Sequence, residues 1–289
     1  MAGPLAAIRI DTPAAEGLVY LQGAQVASWR PHGQRPVLWL ADPDRFRPGV
    51  AIRGGIPICL PWFGPGPDAT LAPAHGFARL LEWTLVSAQL DAGGVAELRL
   101  QLTARQCAGQ PHAELFPGDW VAQLGVRFGP ELDVELDVQA GEQPLVFEEA
   151  LHTYYAVTDV RHCLVAGLDG ADYFDNVEFL RGAGPVPDHR QQGSLRFTSE
   201  TDRVYHSSEP VRLTDGERTI LITKQNSADT VVWNPWADKA ADLPDVGDQW
   251  TRMCCIEAAN AKGHAVHLDA GARHTMGMRV QVLPADEKE

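Results

Sequence analysis

Four segments of this chain carry polar side chains in surroundings that ordinary packing does not ask for. In Arg252-Met253-Cys254-Cys255-Ile256-Glu257-Ala258-Ala259-Asn260, Glu257 is set inside an apolar run. A carboxyl buried there has its pKa raised by desolvation and needs a cationic partner or a chemical task. In Glu148-Glu149-Ala150-Leu151-His152-Thr153-Tyr154-Tyr155-Ala156-Val157, a strand would put Ala150, His152, Tyr154 and Ala156 on one face. The small residues flanking His152 leave room for a ligand. His75 and Arg79 lie four apart in Pro73-Ala74-His75-Gly76-Phe77-Ala78-Arg79. Arg53 opens the stretch Arg53-Gly54-Gly55-Ile56-Pro57-Ile58-Cys59-Leu60-Pro61-Trp62-Phe63-Gly64. Its glycines permit close backbone approach and its prolines stiffen the second half of the stretch. Glu and His are the residue types of proton transfer, and Arg binds phosphate in a bidentate way. Taken singly, each also fits a structural role: an internal ion pair for Arg53 or Glu257, a satisfied strand histidine for His152.

Other chemistries find no support. The sequence contains no GxxxxGK[ST] loop, no GxGxxG and no GxSxG elbow. The cysteines are Cys59, Cys107, Cys163, Cys254 and Cys255, an odd number without CxxC spacing. They read as small buried hydrophobes in a reducing cytoplasm rather than a disulfide framework or zinc knuckle. His264 and His267, three apart, would point to opposite faces of a strand, and the ten histidines show no familiar metal spacing. Neither a metal nor an organic cofactor is expected.

The elements that must position these groups are strands. Leu132, Val134, Leu136 and Val138 alternate with acids from Glu131 to Asp137, as in a half-buried strand. Val95–Leu102, Thr219–Thr223, Met276–Leu283 and the shorter Leu18–Leu21 read the same way. Turn signals such as Asp91-Ala92-Gly93-Gly94 and Asp215-Gly216 separate them. No long segment has helical periodicity, and one short helix is predicted near Ala237–Asp242. The pattern predicts an all-β antiparallel sandwich or barrel. The Pro/Gly-rich stretches 54–67 and 182–193 read as loops within a single domain spanning 1–289, and the tail Pro284–Glu289 as frayed. The net charge of −14 disfavours nucleic acid and anionic lipid as partners, and an anionic substrate would need locally placed arginines. No apolar stretch has bilayer length and the first residues lack a signal-peptide pattern. A cytoplasmic monomer is the expectation.

Taken together, the segments resemble the aldose epimerase superfamily, most closely its hexose-6-phosphate mutarotase branch. The resemblance rests on RGGIPICLPWFGP from Arg53, PAHGFARLLEWTL from Pro73, EEALHTYYAVTDV from Glu148, GLDGADYFD from Gly167, ETDRVY from Glu200, VVWNPWADKAADLPD from Val231 and MCCIEAANA from Met253. It covers most of residues 50–261. It implies a galactose-mutarotase-like β-sandwich with His152 as catalytic acid and Glu257 as catalytic base. By the same resemblance His75 hydrogen-bonds the sugar, Arg53 and Arg79 hold a phosphate, and Asp202 contacts the sugar. Some relatives carry Gln where this chain has Ala74, so one sugar contact is absent or comes from elsewhere. The expected reaction is anomer interconversion of a phosphorylated hexose, glucose 6-phosphate first. Ring opening needs a proton taken from the anomeric hydroxyl and one given to the ring oxygen, with roles reversing on closure. Glu257 ionised and His152 protonated, held by mutual attraction, would serve. Trp62, Phe77, Trp233 and Trp236 could stack on the sugar or simply pack. The rival readings are a non-catalytic carbohydrate-binding or sensing protein, a glycoside hydrolase or lyase using Asp202 and Glu257, and a neutral-aldose mutarotase.

Overall fold

The structure is a computed structural model describing residues 5–182 and 187–283. Part of the predicted 182–193 loop and the tail from Pro284 lie outside the described residues. Two eight-stranded antiparallel sheets carry the fold. The first runs Leu164–Ala166, Val211–Thr214, Thr219–Gln225, Arg273–Leu283, Leu132–Gln139, Val121–Phe128, Ala96–Thr103 and Thr84–Leu90. The second runs His189–Arg190, Asp172–Asp175, Thr201–Tyr205, Asp229–Asn234, Met253–Asn260, Glu149–Leu151 and Ile58–Cys59, with Tyr154–Ala156 also paired to Met253–Asn260. A three-stranded sheet (Ala7–Asp11, Ala15–Tyr20, Gln25–Pro31) and a two-stranded one (Leu145–Phe147, Val266–Leu268) flank them. Among the described residues no helix is long and apolar enough to cross a membrane.

The period-two runs explain the first sheet. Leu132, Val134, Leu136 and Val138 are fully buried while the acids between them face outward. Arg279 on the neighbouring strand reaches Asp133 at 2.5 Å and Glu131 at 3.3 Å. Exposed pairs of this kind contribute at most about 1 kcal/mol each. Burying each Leu or Val stabilises by about 1.5–3 kcal/mol, so the inner face decides the register. The core cluster joins Leu100, Leu124 and Val134 of this sheet to Val232, Cys254 and Ile256 of the other.

The strand Met253–Asn260 is buried at all eight positions. Cys254, Ile256 and Ala258 point into the core between the sheets. Met253, Cys255 and Ala259 belong to other clusters on the opposite face, the face that also carries Glu257. That double burial is why the sequence around Glu257 reads as an unbroken apolar run rather than an alternation.

The His152 segment is less regular than the sequence predicts. Its strand stops at Leu151 and resumes at Tyr154. The N–H groups of His152 and Tyr154 donate to the carbonyls of Pro57 and Gly55, so the Arg53–Gly64 stretch holds the segment from its other side. The predicted helix appears at Trp236–Ala241. A second helix, Asn176–Leu180, starts where the Asp175 carboxylate accepts from the N–H groups of Val177 and Glu178, a capping signal.

Candidate active site

Register brings the chemistry together on the outer face of the second sheet. One row across it holds Asp202, Trp233, Cys255 and Tyr154. The next holds Val204, Val231 and Glu257. Ala150 pairs with Ala259 and Tyr154 with Cys255. Carried across the interruption at residues 152–153, that register sets His152 opposite Glu257. His152 Nδ1 lies 3.2 Å from Glu257 Oε1, though not aligned for a hydrogen bond. Both side chains line a cavity of about 430 Å³, as do His75, Arg53, Arg79 and Asp202. That volume is in the range of small-ligand sites. All six residues singled out in the sequence therefore meet in one pocket.

The environment sets the protonation of the pair. Burial raises the Glu257 carboxyl well above the ordinary carboxylate range; the nearby Asp202 adds to the rise and Arg79 opposes it. Burial pushes His152 down to about 3, reinforced by the charges of Arg79 and Arg53. The charge pair expected from mutual attraction is thus overturned in the free site: desolvation favours carboxylic acid beside neutral imidazole. Neither Glu257 oxygen nor His152 Nδ1 has a hydrogen-bond partner among the described residues. Tyr154 holds the imidazole in plane, its ring stacked on His152 at 4.9 Å and 7°. Burial also raises the Tyr154 hydroxyl, which accepts from Arg53 at 3.1 Å.

His75 sits in the left-handed region at φ 63°. Its Nδ1 accepts from the Gly64 N–H at 3.2 Å, which leaves Nε2 as the protonated nitrogen. Burial holds its pKa well below the ordinary imidazole value. A neutral imidazole with a free N–H suits a sugar hydroxyl. Asp202 accepts from Asn176 Nδ2 at 2.8 Å, and burial raises it to about 6. Arg53 is held by Asp245 at 2.9 Å, so the structural ion pair considered for it exists and does not remove it from the pocket. Arg79 donates to the Ala74 carbonyl at 2.7 Å and keeps its Nε without a partner.

The aromatic candidates divide. Trp233 lines the pocket. Trp62 and Phe77 instead pack edge to face in the core, and Trp236 packs on Trp250 at 4.7 Å. Ala150, expected to leave room beside His152, is fully buried against Cys59 and Ala259. All five cysteines are free and buried. His152, Cys255 and Glu257 each bring one possible ligand atom within 4.8 Å of the others. Burial raises the Cys255 thiol well above its usual range, which works against the thiolate that a metal would require.

Several pocket residues carried no separate sequence signal. Asn176 and Lys239 sit on the two short helices, and Lys262 comes just after the Glu257 strand. Sequence spacing also hid a cluster elsewhere: the imidazoles of His206 and His264 both meet Asp229 Oδ1, at 3.0 and 2.8 Å. His264 lies in a 3-10 turn and not on a strand, so its direction is not set by strand alternation.

The family pattern described as aldose 1-epimerase matches residues 7–281. A protein of Escherichia coli (strain K12) named "Putative glucose-6-phosphate 1-epimerase" is 36% identical over 262 residues, covering 88% of this chain and 83% of that protein. The crystal structure of "a putative mutarotase" from Salmonella typhimurium superposes with a TM-score of 0.85 at 29% identity, over 96% of this chain and 90% of the other. A galactose 1-epimerase from Lactobacillus acidophilus NCFM shares the fold, with a TM-score of 0.71 at 12% identity over 96% and 94% of the two chains.

Proposed function

The chain belongs to the aldose 1-epimerase family, and from that premise we propose that it interconverts the α and β anomers of a hexose 6-phosphate, glucose 6-phosphate first, from a single β-sandwich domain spanning residues 1–289. The observation that carries the mechanism is the buried Glu257–His152 pair, 3.2 Å apart with unpartnered atoms on the pocket wall. The phosphate is inferred from the cations Arg53 and Arg79 lining the same pocket of a protein with net charge −14.

One proton shared by the pair serves both halves of the reaction. In the opening direction the Glu257 carboxylate takes the proton of the anomeric hydroxyl and the His152 imidazolium gives one to the ring oxygen. The bond from C1 to the ring oxygen breaks and C1 becomes a carbonyl. The pair is now carboxylic acid and imidazole. After rotation about C1–C2 the same neutral pair closes the ring on the other face and returns to its first state. Burial, which raises Glu257 and lowers His152, makes the one a stronger base and the other a stronger acid. The charge pair and the favoured neutral pair hold the same number of protons, so the resting neutral pair reaches the ring-opening form by moving one proton within the pair, with none entering or leaving the site. His75 and Asp202 hold sugar hydroxyls, and Trp233 offers its ring to the apolar face.

The test is NMR exchange between the anomers of glucose 6-phosphate, with free glucose alongside. Acceleration confined to the phosphate ester is the expected result. Equal acceleration of both sugars would replace this reading with a neutral-aldose mutarotase, and none on either would leave a binding protein.

The pH profile is a second expected outcome. The pair works only while it holds one proton. With His152 near 3, kcat measured at saturating substrate should show no loss as pH falls through about 6.5, where a free imidazole titrates. It should fall on the acid side near 3, when the imidazole keeps a second proton, and on the alkaline side when the last proton leaves the pair. Saturating conditions matter because the substrate phosphate itself ionises near about pH 6 and would enter kcat/KM. A loss of kcat as pH falls through about 6.5 would mean that His152 titrates as it does in water, and would sink this assignment.

A further inference from the structure

We propose that Lys262 contacts the phosphate of the substrate at the pocket mouth and sets the preference for a phosphorylated over a free hexose, an inference that rests on the mutarotase reading of the same pocket. Four cations line the cavity: Arg53, Arg79, Lys239 and Lys262. Two already have carboxylate partners, Arg53 with Asp245 at 2.9 Å and Lys239 with Glu200 at 2.8 Å. Among the described residues Arg79 and Lys262 have no ion-pair partner. The Arg79 charge bears on Glu257 and both pocket histidines, and the Lys262 charge bears on His75 and Asp202, so both cations face the same cavity. The Lys262 ammonium lies over the rings of Phe174 and Phe179, at 5.2 and 5.5 Å, and Phe179 is 40% exposed. Its neighbour Phe179 opens to solvent, the side on which the strongly hydrated phosphate of a C6 ester is expected once the sugar ring reaches Glu257.

The backbone around Lys262 is held more firmly than an idle surface lysine requires. Lys262 adopts φ 57°, a conformation that L-residues other than Asn and Asp rarely take. Its N–H donates to Glu148 Oε1 at 2.6 Å, and the other oxygen of that buried acid accepts from Phe63 N–H on the pocket wall. The preceding N–H, of Ala261, donates to Asp229 Oδ2 at 3.1 Å. His264 closes the turn on the other oxygen of Asp229, which is fully buried. Two buried carboxylates thus clamp residues 261–264 and fix the direction in which Lys262 leaves the chain. A cation held ready loses less freedom on binding, and an unpaired one has no carboxylate to be pulled from. Its place in a chain of net charge −14 makes it a local exception to a field that repels phosphate.

The experiment compares glucose 6-phosphate and free glucose as substrates of the wild type, Lys262→Gly and Lys262→Arg. Glycine accepts the backbone angle without strain, so removing the charge does not endanger the turn. A charge-assisted contact of ordinary strength predicts that Lys262→Gly raises KM for the phosphate ester by about 10- to 100-fold, with kcat falling far less. The ratio of kcat/KM for the ester over free glucose then drops by about the same factor, and Lys262→Arg restores most of it. A Lys262→Gly enzyme that keeps the wild-type ratio overturns the inference while leaving the hexose-6-phosphate reading intact. A wild type that does not distinguish the two sugars overturns both.

Discussion

Glu257→Gln should slow anomer exchange by about a hundred- to ten-thousand-fold, the contribution of a positioned acid–base group. The amide is close to the carboxyl in shape and cannot take a proton from the anomeric hydroxyl. Packing is preserved, since Glu257 lies in a fully buried strand between Ile256 and Ala258. The variant should also be no less stable than the wild type. Glu257 has a folded pKa raised above its unfolded value, so its contribution to stability is complete only below about 4.3. That contribution is lost as pH rises through the folded pKa. Glutamine carries no such penalty, and the difference in melting temperature should grow in its favour as pH increases. Exchange NMR and thermal melts at two pH values read both effects. A loss of less than about tenfold in rate would make Glu257 a structural acid. A large fall in melting temperature would show that its carboxylate is paired in a way this geometry does not provide.

The second large effect concerns a residue with no side chain. Gly76 has φ 72°, and a Cβ there would stand 2.1 Å from the Leu60 carbonyl oxygen and 2.4 Å from its carbon. Those are backbone atoms already engaged: the Leu60 carbonyl accepts from Ala78 N–H and its N–H donates to the His75 carbonyl. The loop carrying His75 is therefore laced directly onto the stretch carrying Phe63 and Gly64. Gly76→Ala should cost about 3 kcal/mol or more, through both the positive φ and the collision. In a chain of this size that lowers the melting temperature by about 6–12 °C. Folded material should lose activity as well, because His75 is the adjacent residue. Gly109→Ala is the control: its φ is 88° but nothing lies within 4 Å of a new Cβ, so only the conformational strain remains. Equal melting temperatures for the two variants would mean that the Leu60 contact relaxes freely.

Much of the site was legible in the residue types and their neighbours. Glu257 stood out because an acid in an apolar run is costly wherever the run is buried, and here both faces of its strand are covered. The Arg53, His75 and His152 segments stood out through stiffening prolines, permissive glycines and small neighbours. Asn176, Lys239 and Lys262 did not, since a polar residue on a short helix or turn resembles any solvated one. Trp62, Phe77, Trp233 and Trp236 could not be sorted, because an aromatic ring carries the same sequence signature in a core as in a pocket.

The strand pattern by itself determined an all-β antiparallel fold, sandwich or barrel, and the family resemblance chose the sandwich. Strand alternation is set by local chain geometry, and the inward row of Leu132, Val134, Leu136 and Val138 leaves one register that buries it. The sequence also determined which residue types were available for proton transfer and phosphate binding. Tertiary structure alone decided that His152 faces Glu257 across a paired register, that Asp202 sits near enough to push the Glu257 carboxyl higher, and that burial makes the pair neutral where attraction alone would have charged it. It also decided which cations were already spoken for. Those outcomes depend on distance and desolvation between residues far apart in the chain, and neither quantity is written in local spacing.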